Sequence, residues 1–116
     1  MRFQKVMPVL VVKDVARAVA FYGQLGFQVT KQMEGWATLA HGEVEIMFSL
    51  PNDFMRHDQP LLTGALYFKV DDVAPLWEKM KDAAKLSYAL QDFGYGTKEF
   101  AIFDPDGYLI QFAQEI

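Results

Sequence analysis

Cysteine is absent from the chain, which removes thiolate nucleophiles, disulfides and thiolate metal centres together. There is no Ser/His/Asp order with supporting motifs and no Gly-rich phosphate loop. The two histidines, His41 in a strand turn and His57 in a polar segment, read as solvated surface side chains. What remains suits binding: aromatic rings, thioethers, an amide, phenols and a strand carboxylate. Strand alternation puts Met7, Val9 and Val11 on one face, with Ala65, Tyr67 and Lys69, and with Leu109, Gln111 and Ala113. Glu45 and Met47 join that set, because Val44, Ile46 and Phe48 suit the side that packs on a helix. A phenol or amide on such a face needs a partner, which makes Tyr67 and Gln111 the leading polar contacts. Trp36 follows a Gly turn, where a half-exposed indole can stack on a flat ligand. Glu45 can pair with a cationic ligand, and with Tyr67 it offers an acid and a base.

The elements that position these residues come in two copies. Val12-Lys13-Asp14-Val15-Ala16 returns as Val70-Asp71-Asp72-Val73-Ala74, an offset of 58 in a chain of 116. A repeat at half the chain length means one supersecondary unit used twice. In the first copy, residues 3–12 read as a strand apolar on both faces. Asp14 then caps a helix with Val15, Ala18, Val19, Tyr22 and Leu25 on its apolar stripe, and Gly26 ends it. Strands follow at 27–33, 36–41 and 44–49. In the second copy, strand 64–70 leads to a helix capped by Asp72. Its Val73, Leu76, Trp77 and Met80 make an amphipathic stripe, with Trp77 in the core. Strands at 86–90, 97–103 and 108–114 complete the unit, the last two joined by an Asp104-Pro105-Asp106-Gly107 turn. The pattern is β-α-β-β-β twice, and duplicated units of this kind curl around a cleft.

Residues 51–60 (PNDFMRHDQP) form the polar, irregular stretch between the copies, with Phe54 and Met55 as apolar loop residues. The expected organisation is one domain over 1–116: module one at 1–50, a linker at 51–62 and module two at 63–116. The composition is 52% apolar, far from the disordered regime. A net charge of −4 argues against nucleic acid, which needs a basic stripe. No apolar run approaches the ~20 residues of a membrane span, and no signal-peptide pattern opens the chain. The expectation is a cytoplasmic protein with neither a nucleic-acid nor a membrane partner.

Four runs carry a resemblance that spans nearly the whole chain: PVLVVKDV at 8–15, FYGQLGF at 21–27, YFKVDDV at 67–73 and FAIFDPDGYLIQF at 100–112. In this order they resemble the vicinal oxygen chelate superfamily, the glyoxalase/bleomycin resistance protein/dioxygenase group. The resemblance implies an α+β fold: two tandem βαβββ modules forming a curved mixed β-sheet with a concave cleft, helices on the outer face. In the family's enzymes a divalent metal sits inside, held by the first and last strands of each module. Those positions correspond here to Met7, Ala65, Gln111 and, in the last strand of module one, Ile46 or Met47. A thioether, a methyl group and a single neutral amide do not make a site for a hard cation. The implied reading is no metal, no cofactor, and no shared Lewis acid for glyoxalase or dioxygenase chemistry.

The balance is therefore against an enzyme. The family's metal-free branch, typified by bleomycin resistance proteins, sequesters a drug in grooves at a dimer interface. By that resemblance the chain binds a hydrophobic or aromatic, in one form cationic, small molecule as a homodimer, the logic of antibiotic resistance by sequestration. The ligand-binding set is Met7, Trp36, Glu45, Met47, Tyr67, Tyr95 and Gln111. Tyr95 enters because relatives carry an aromatic-Gly loop at the groove mouth where this chain has Phe93-Gly94-Tyr95-Gly96. Two alternatives stay open: a metal-dependent lyase or dioxygenase of the same superfamily, and a degenerate dimerisation module without ligand.

Overall fold

A computed structural model of the chain describes residues 1–55 and 57–116; Arg56, within the segment read as a linker, lies outside them. The chain forms two compact units, Met1–Leu61 and Leu62–Ile116.

In the first unit, strand β1 is Val9–Val11, shorter than the 3–12 expected. Pro8 is the physical reason: it has no N–H to donate to a ladder, and only its carbonyl joins, accepting from Met47 N–H at 2.9 Å. Phe3 and Val6, ahead of it, stay exposed. Asp14 caps helix α1 (Val15–Gln24), its Oδ1 accepting from the Arg17 N–H at 3.0 Å. The helix buries Ala18, Phe21 and Tyr22, and the Tyr22 ring lies 4.5 Å from that of Phe48. Gly26 takes φ +97°, and a Cβ there would stand 2.8 Å from His41 Nδ1. Glycine is thus required twice over at this helix end.

Strands β2 (Gln28–Met33), β3 (Trp36–His41) and β4 (Val44–Ser49) complete a mixed sheet of order β1-β4-β3-β2, with β1 and β4 parallel. Leu39, Ile46 and Phe48 are fully buried beside Leu10 and Val12, each worth about 1.5–3 kcal/mol on burial. Val44, expected with them, is exposed at the strand's start.

The second unit repeats the plan with β5 (Ala65–Lys69), α2 (Val73–Met80), β6 (Lys85–Phe93), β7 (Thr97–Phe103) and β8 (Leu109–Glu115). Its sheet order is β5-β8-β7-β6, again with one parallel pair, β5 and β8. Asp72 caps α2, and Gln114 Oε1 accepts from the Val73 N–H at 2.8 Å, tying the helix to β8. Phe100, Ile102, Ile110 and Met80 are fully buried. Trp77, expected in the core, is half-buried, its ring 5.3 Å from Phe100. The turn before β8 closes on Asp104, whose Oδ1 accepts from the N–H groups of Asp106 (2.8 Å) and Tyr108 (2.9 Å). The fold is α+β, two four-stranded mixed sheets with one helix each.

β6 departs most from expectation. It starts one residue before the expected 86–90 and ends three after it, and its pairing with β7 shifts register between Leu86 and Tyr88 and again between Tyr88 and Gln91. Leu86 pairs with Ile102, whereas Tyr88 pairs with Ala101. The bulge turns Tyr88 to the face opposite the one that plain alternation gives it.

Candidate functional site

The face of the second sheet away from Phe100 and Ile102 carries Thr97, Glu99 and Ala101 on β7, Gln111 and Ala113 on β8, and Tyr67 on β5, by register. Glu99 is 1% exposed, a carboxylate in the position of a core residue. Its Oε2 accepts from the hydroxyls of Tyr67 (2.6 Å), Thr97 (2.7 Å) and Tyr95 (3.3 Å), and its Oε1 from that of Tyr88 (3.0 Å). Gln111 Nε2 donates to the Tyr88 oxygen at 3.2 Å and so orients that phenol. The small side chain of Ala113, directly opposite Glu99 on β8, leaves room for Tyr67 to reach across from β5.

The electrostatics follow from this arrangement. Burial pushes the Glu99 carboxyl up, but the hydroxyls of Tyr67, Thr97, Tyr88 and Tyr95 outweigh it and hold the group below its ordinary value. The Tyr67 phenol, hydrogen-bonded to Glu99 and sharing its field, is pushed up to about 12. Burial and the Glu99 carboxylate raise Tyr88 as well, although Gln111 works against them. The cluster therefore holds one negative charge and keeps Tyr67 and Tyr88 protonated at neutral pH. Among the described residues no Lys, Arg or His pairs with Glu99.

The structure brings Tyr67, Tyr95 and Gln111 of the expected set into this cluster. It adds Glu99, Tyr88 and Thr97, which sequence reasoning missed. Alternation carried the signal for Glu99, since Thr97, Glu99 and Ala101 must oppose Phe100 and Ile102. Tyr88 had none, because the β6 bulge reverses its direction. The remaining four residues lie in the first unit. Met47 pairs with Val9 and Thr38, Ile46 is buried, and so Met47 takes the face of the sheet away from α1. Met7 is half-buried just before β1. Glu45 forms an ion pair with Lys5, and the half-exposed Trp36 already carries the Lys31 ammonium 5.8 Å over its ring. His41, read as simply solvated, is exposed yet engaged: its Nδ1 lies 3.1 Å from Gly26 O and its ring packs edge-on to Phe27.

Pairing aligns the two repeats residue by residue. Val9 meets Met47 in β1–β4, and Tyr67, 58 positions on from Val9, meets Gln111 in β5–β8, so Met47 corresponds to Gln111. One further strand over, Trp36 corresponds to Glu99. The same positions are apolar in the first unit and hydrogen-bonding in the second. The metal-ligand positions implied by the resemblance thus resolve to Met7, Met47, Ala65 and Gln111. Two thioethers, a methyl and an amide do not fit a divalent oxygen-seeking cation. Among the described residues, no three His, Asp or Glu side chains gather as a metal site elsewhere.

Known proteins resemble the chain throughout its length. The description Glyoxalase/Bleomycin resistance protein/Dioxygenase superfamily matches residues 3–112. A bleomycin resistance protein of Geobacillus stearothermophilus is 30% identical, over 95% of this chain and 96% of its own. The crystal structure of a bleomycin-binding protein complexed with bleomycin has a TM-score of 0.73 at 22% identity, covering 98% of this chain and all of that one. TioX from Micromonospora sp. ML1 has a TM-score of 0.81 at 20% identity, with 98% and 100% coverage. The structural likenesses speak for the fold; the family match over 3–112 and the curated relative speak for descent. On these grounds the chain belongs to the glyoxalase/bleomycin resistance protein/dioxygenase superfamily.

Proposed function

We propose that this chain binds a hydrophobic or aromatic, cationic small molecule without a metal ion, and holds it without changing it. The observation that carries this reading is Glu99: a buried carboxylate, kept ionised by hydroxyls, with no cation beside it among the described residues. Buried charges are costly unless they are paired. Hydroxyl donors hold this one ionised without cancelling its charge, and an organic cation is the complementary guest. The surrounding phenols suit the same guest. Ring faces attract cations, and a phenol oxygen that donates to a carboxylate becomes a stronger acceptor for a ligand N–H. Tyr67, at 45% exposure, presents such a surface to solvent.

The relatives named for bleomycin resistance support sequestration of a drug-like molecule, and the thioether, methyl and amide donors at the family's ligand positions support metal independence. Met7, Trp36, Glu45 and Met47 serve as further contacts on the face of the first unit's sheet away from α1. Glu45 takes part once Lys5 is displaced. We place the protein in the cytoplasm as a homodimer whose grooves are completed by the second copy. No helix among the described residues is long and apolar enough to cross a membrane.

The test is thermal unfolding of EDTA-stripped protein with Mg²⁺, Mn²⁺, Ni²⁺, Zn²⁺, metal-free bleomycin and other flat aromatic cations in separate wells. A ligand at 100 times its Kd adds about 2.7 kcal/mol, or roughly 10 °C for a domain of this size. Shifts with the cations and none with the metals are expected. A saturable shift with one divalent ion alone would return the chain to the metal-dependent enzymes.

A further inference from the structure

Oxygen Oε2 of Glu99 has more donors than it can hold well. A carboxylate oxygen offers two in-plane lone pairs, and Tyr67 and Thr97 take them at 2.6 and 2.7 Å. Tyr95 is left with a long bond of 3.3 Å and is also the most exposed of the phenols, at 68%. It sits at the tip of the three-residue hairpin loop 94–96 between β6 and β7, closed by the Gly96 N–H on Phe93 O at 3.2 Å. Gly96 is required there, at φ +93°. At Gly94 no positive φ and no neighbour within 4 Å of a Cβ demands glycine, so the loop keeps backbone freedom at that point. The Tyr95 ring lies against Phe93, centroids 5.5 Å apart at 30°, and Phe93 in turn meets Tyr88 edge-on at 5.4 Å.

We infer that Tyr95 is a place-holder for the ligand: its phenol occupies the position that a planar aryl cation takes, with the ligand's ring against Phe93 and its N–H on Glu99 Oε2. The inference rests on Glu99 being the cation anchor of the preceding section. Glu99 is too buried to be reached unless a partner leaves, and Tyr95 is the partner that leaves at least cost. Its bond is the weakest of the set, and its hydroxyl returns to water. The exchange replaces a neutral O–H donor by a charged N–H donor on the same oxygen, which strengthens the bond and cancels the buried charge. The geometry also defines the guest's chemistry: a flat ring about the size of a phenol, bearing an amidinium, guanidinium or ammonium group in line with its axis. Neutral amides and carboxylates of the same shape fail, the first for want of charge and the second by repulsion.

The experiment is an NMR titration of the full chain with benzamidinium, with benzamide and benzoate as neutral and anionic isosteres, on wild type, Tyr95→Phe and Glu99→Gln. Tyr95→Phe removes the hydroxyl that tethers the ring to Glu99, so the ring yields its place more readily and the variant should bind benzamidinium about 2- to 10-fold more tightly than wild type. Glu99→Gln should lose the binding. In wild type, saturation should move the Tyr95 ring resonances away from the values its contact with Phe93 gives them, while Thr97 keeps its hydrogen-bonded shift. Binding that depends on Glu99 but is unchanged or weakened by Tyr95→Phe would overturn the place-holder role and leave the cation anchor standing. Binding equal in wild type and Glu99→Gln, or absent from wild type and Tyr95→Phe alike, would overturn both. A thermal unfolding curve for each variant confirms that the folded protein is being titrated.

Discussion

Replacing Glu99 by alanine is the perturbation with the most specific consequence, because one side chain satisfies four hydroxyls. The exposed phenols of Tyr67 and Tyr95 recover water as partners. Tyr88 and Thr97, both part-buried, do not recover it fully. A part-buried hydroxyl left unpaired costs about 1–3 kcal/mol, and lost packing of the two methylenes adds to this. Against it stands the relief of burying no charge. Four hydrogen bonds to one carboxylate, each charge-assisted, outweigh that relief. Glu99→Ala should therefore destabilise the fold by about 2–4 kcal/mol, lowering Tm by roughly 8–16 °C. Urea and thermal unfolding at pH 7 measure it. A variant within about 0.5 kcal/mol of wild type, or more stable, would refute the reasoning, showing that desolvation of the carboxylate cancels its hydrogen bonds.

Other consequences follow from the same geometry. Glu99 is held below its ordinary value of 4.5, so its stabilisation is complete above that value and is lost as pH falls through the folded one. The acid limb of a pH–stability curve should accordingly flatten in Glu99→Gln. Tyr67 is raised from 10.0 to about 12, so its contribution is complete below pH 10.0 and is lost as pH rises towards 12. Ultraviolet titration should show late phenolates, and Tyr67→Phe should remove one of them. Gly26→Ala places a Cβ 2.8 Å from His41 Nδ1 at φ +97° and should cost at least about 1–2 kcal/mol, read in thermal unfolding. Asp14→Ala strips the cap from α1, whose Oδ1 accepts from the Arg17 N–H, at about 1 kcal/mol by the same assay.

The fold was legible because its signals are local and repeated. The V-x-D-V-A repeat, the Asp14 and Asp72 caps and the Gly turns each depend on a few neighbouring residues. Trp36–His41, Val44–Ser49 and Thr97–Phe103 form with the bounds that alternation predicts. Reading failed where a local rule met an interruption. Pro8 cut the first strand to three residues, because a missing N–H outweighs an apolar pattern. The β6 bulge turned Tyr88 over, and period-2 reasoning has no means to place a bulge. The site was legible only by halves. Tyr67 and Gln111 were found as polar groups on an otherwise apolar face. Glu99 drew no separate reading, although the flanking Phe100 and Ile102 fix its face. A cluster assembled from four strands and a hairpin tip declares itself only when the register is known.

The repeat also divides the chemistry. Where the second unit has Glu99, Gln111 and Tyr67, the first has Trp36, Met47 and Val9 at matching register. Duplication has kept the pairing and diverged the faces, one toward apolar contact and one toward charge and hydrogen bonding.

The central claim is that Glu99 anchors a cationic ligand without metal. Its most direct test is isothermal titration of metal-free bleomycin into EDTA-treated protein, comparing wild type with Glu99→Gln. Saturable binding to wild type, weakened about 30-fold or more in the variant, is the expected result, since one partner of a buried charge pair is lost. Equal affinity in the two proteins, or binding that appears only after a divalent ion is restored, would contradict it.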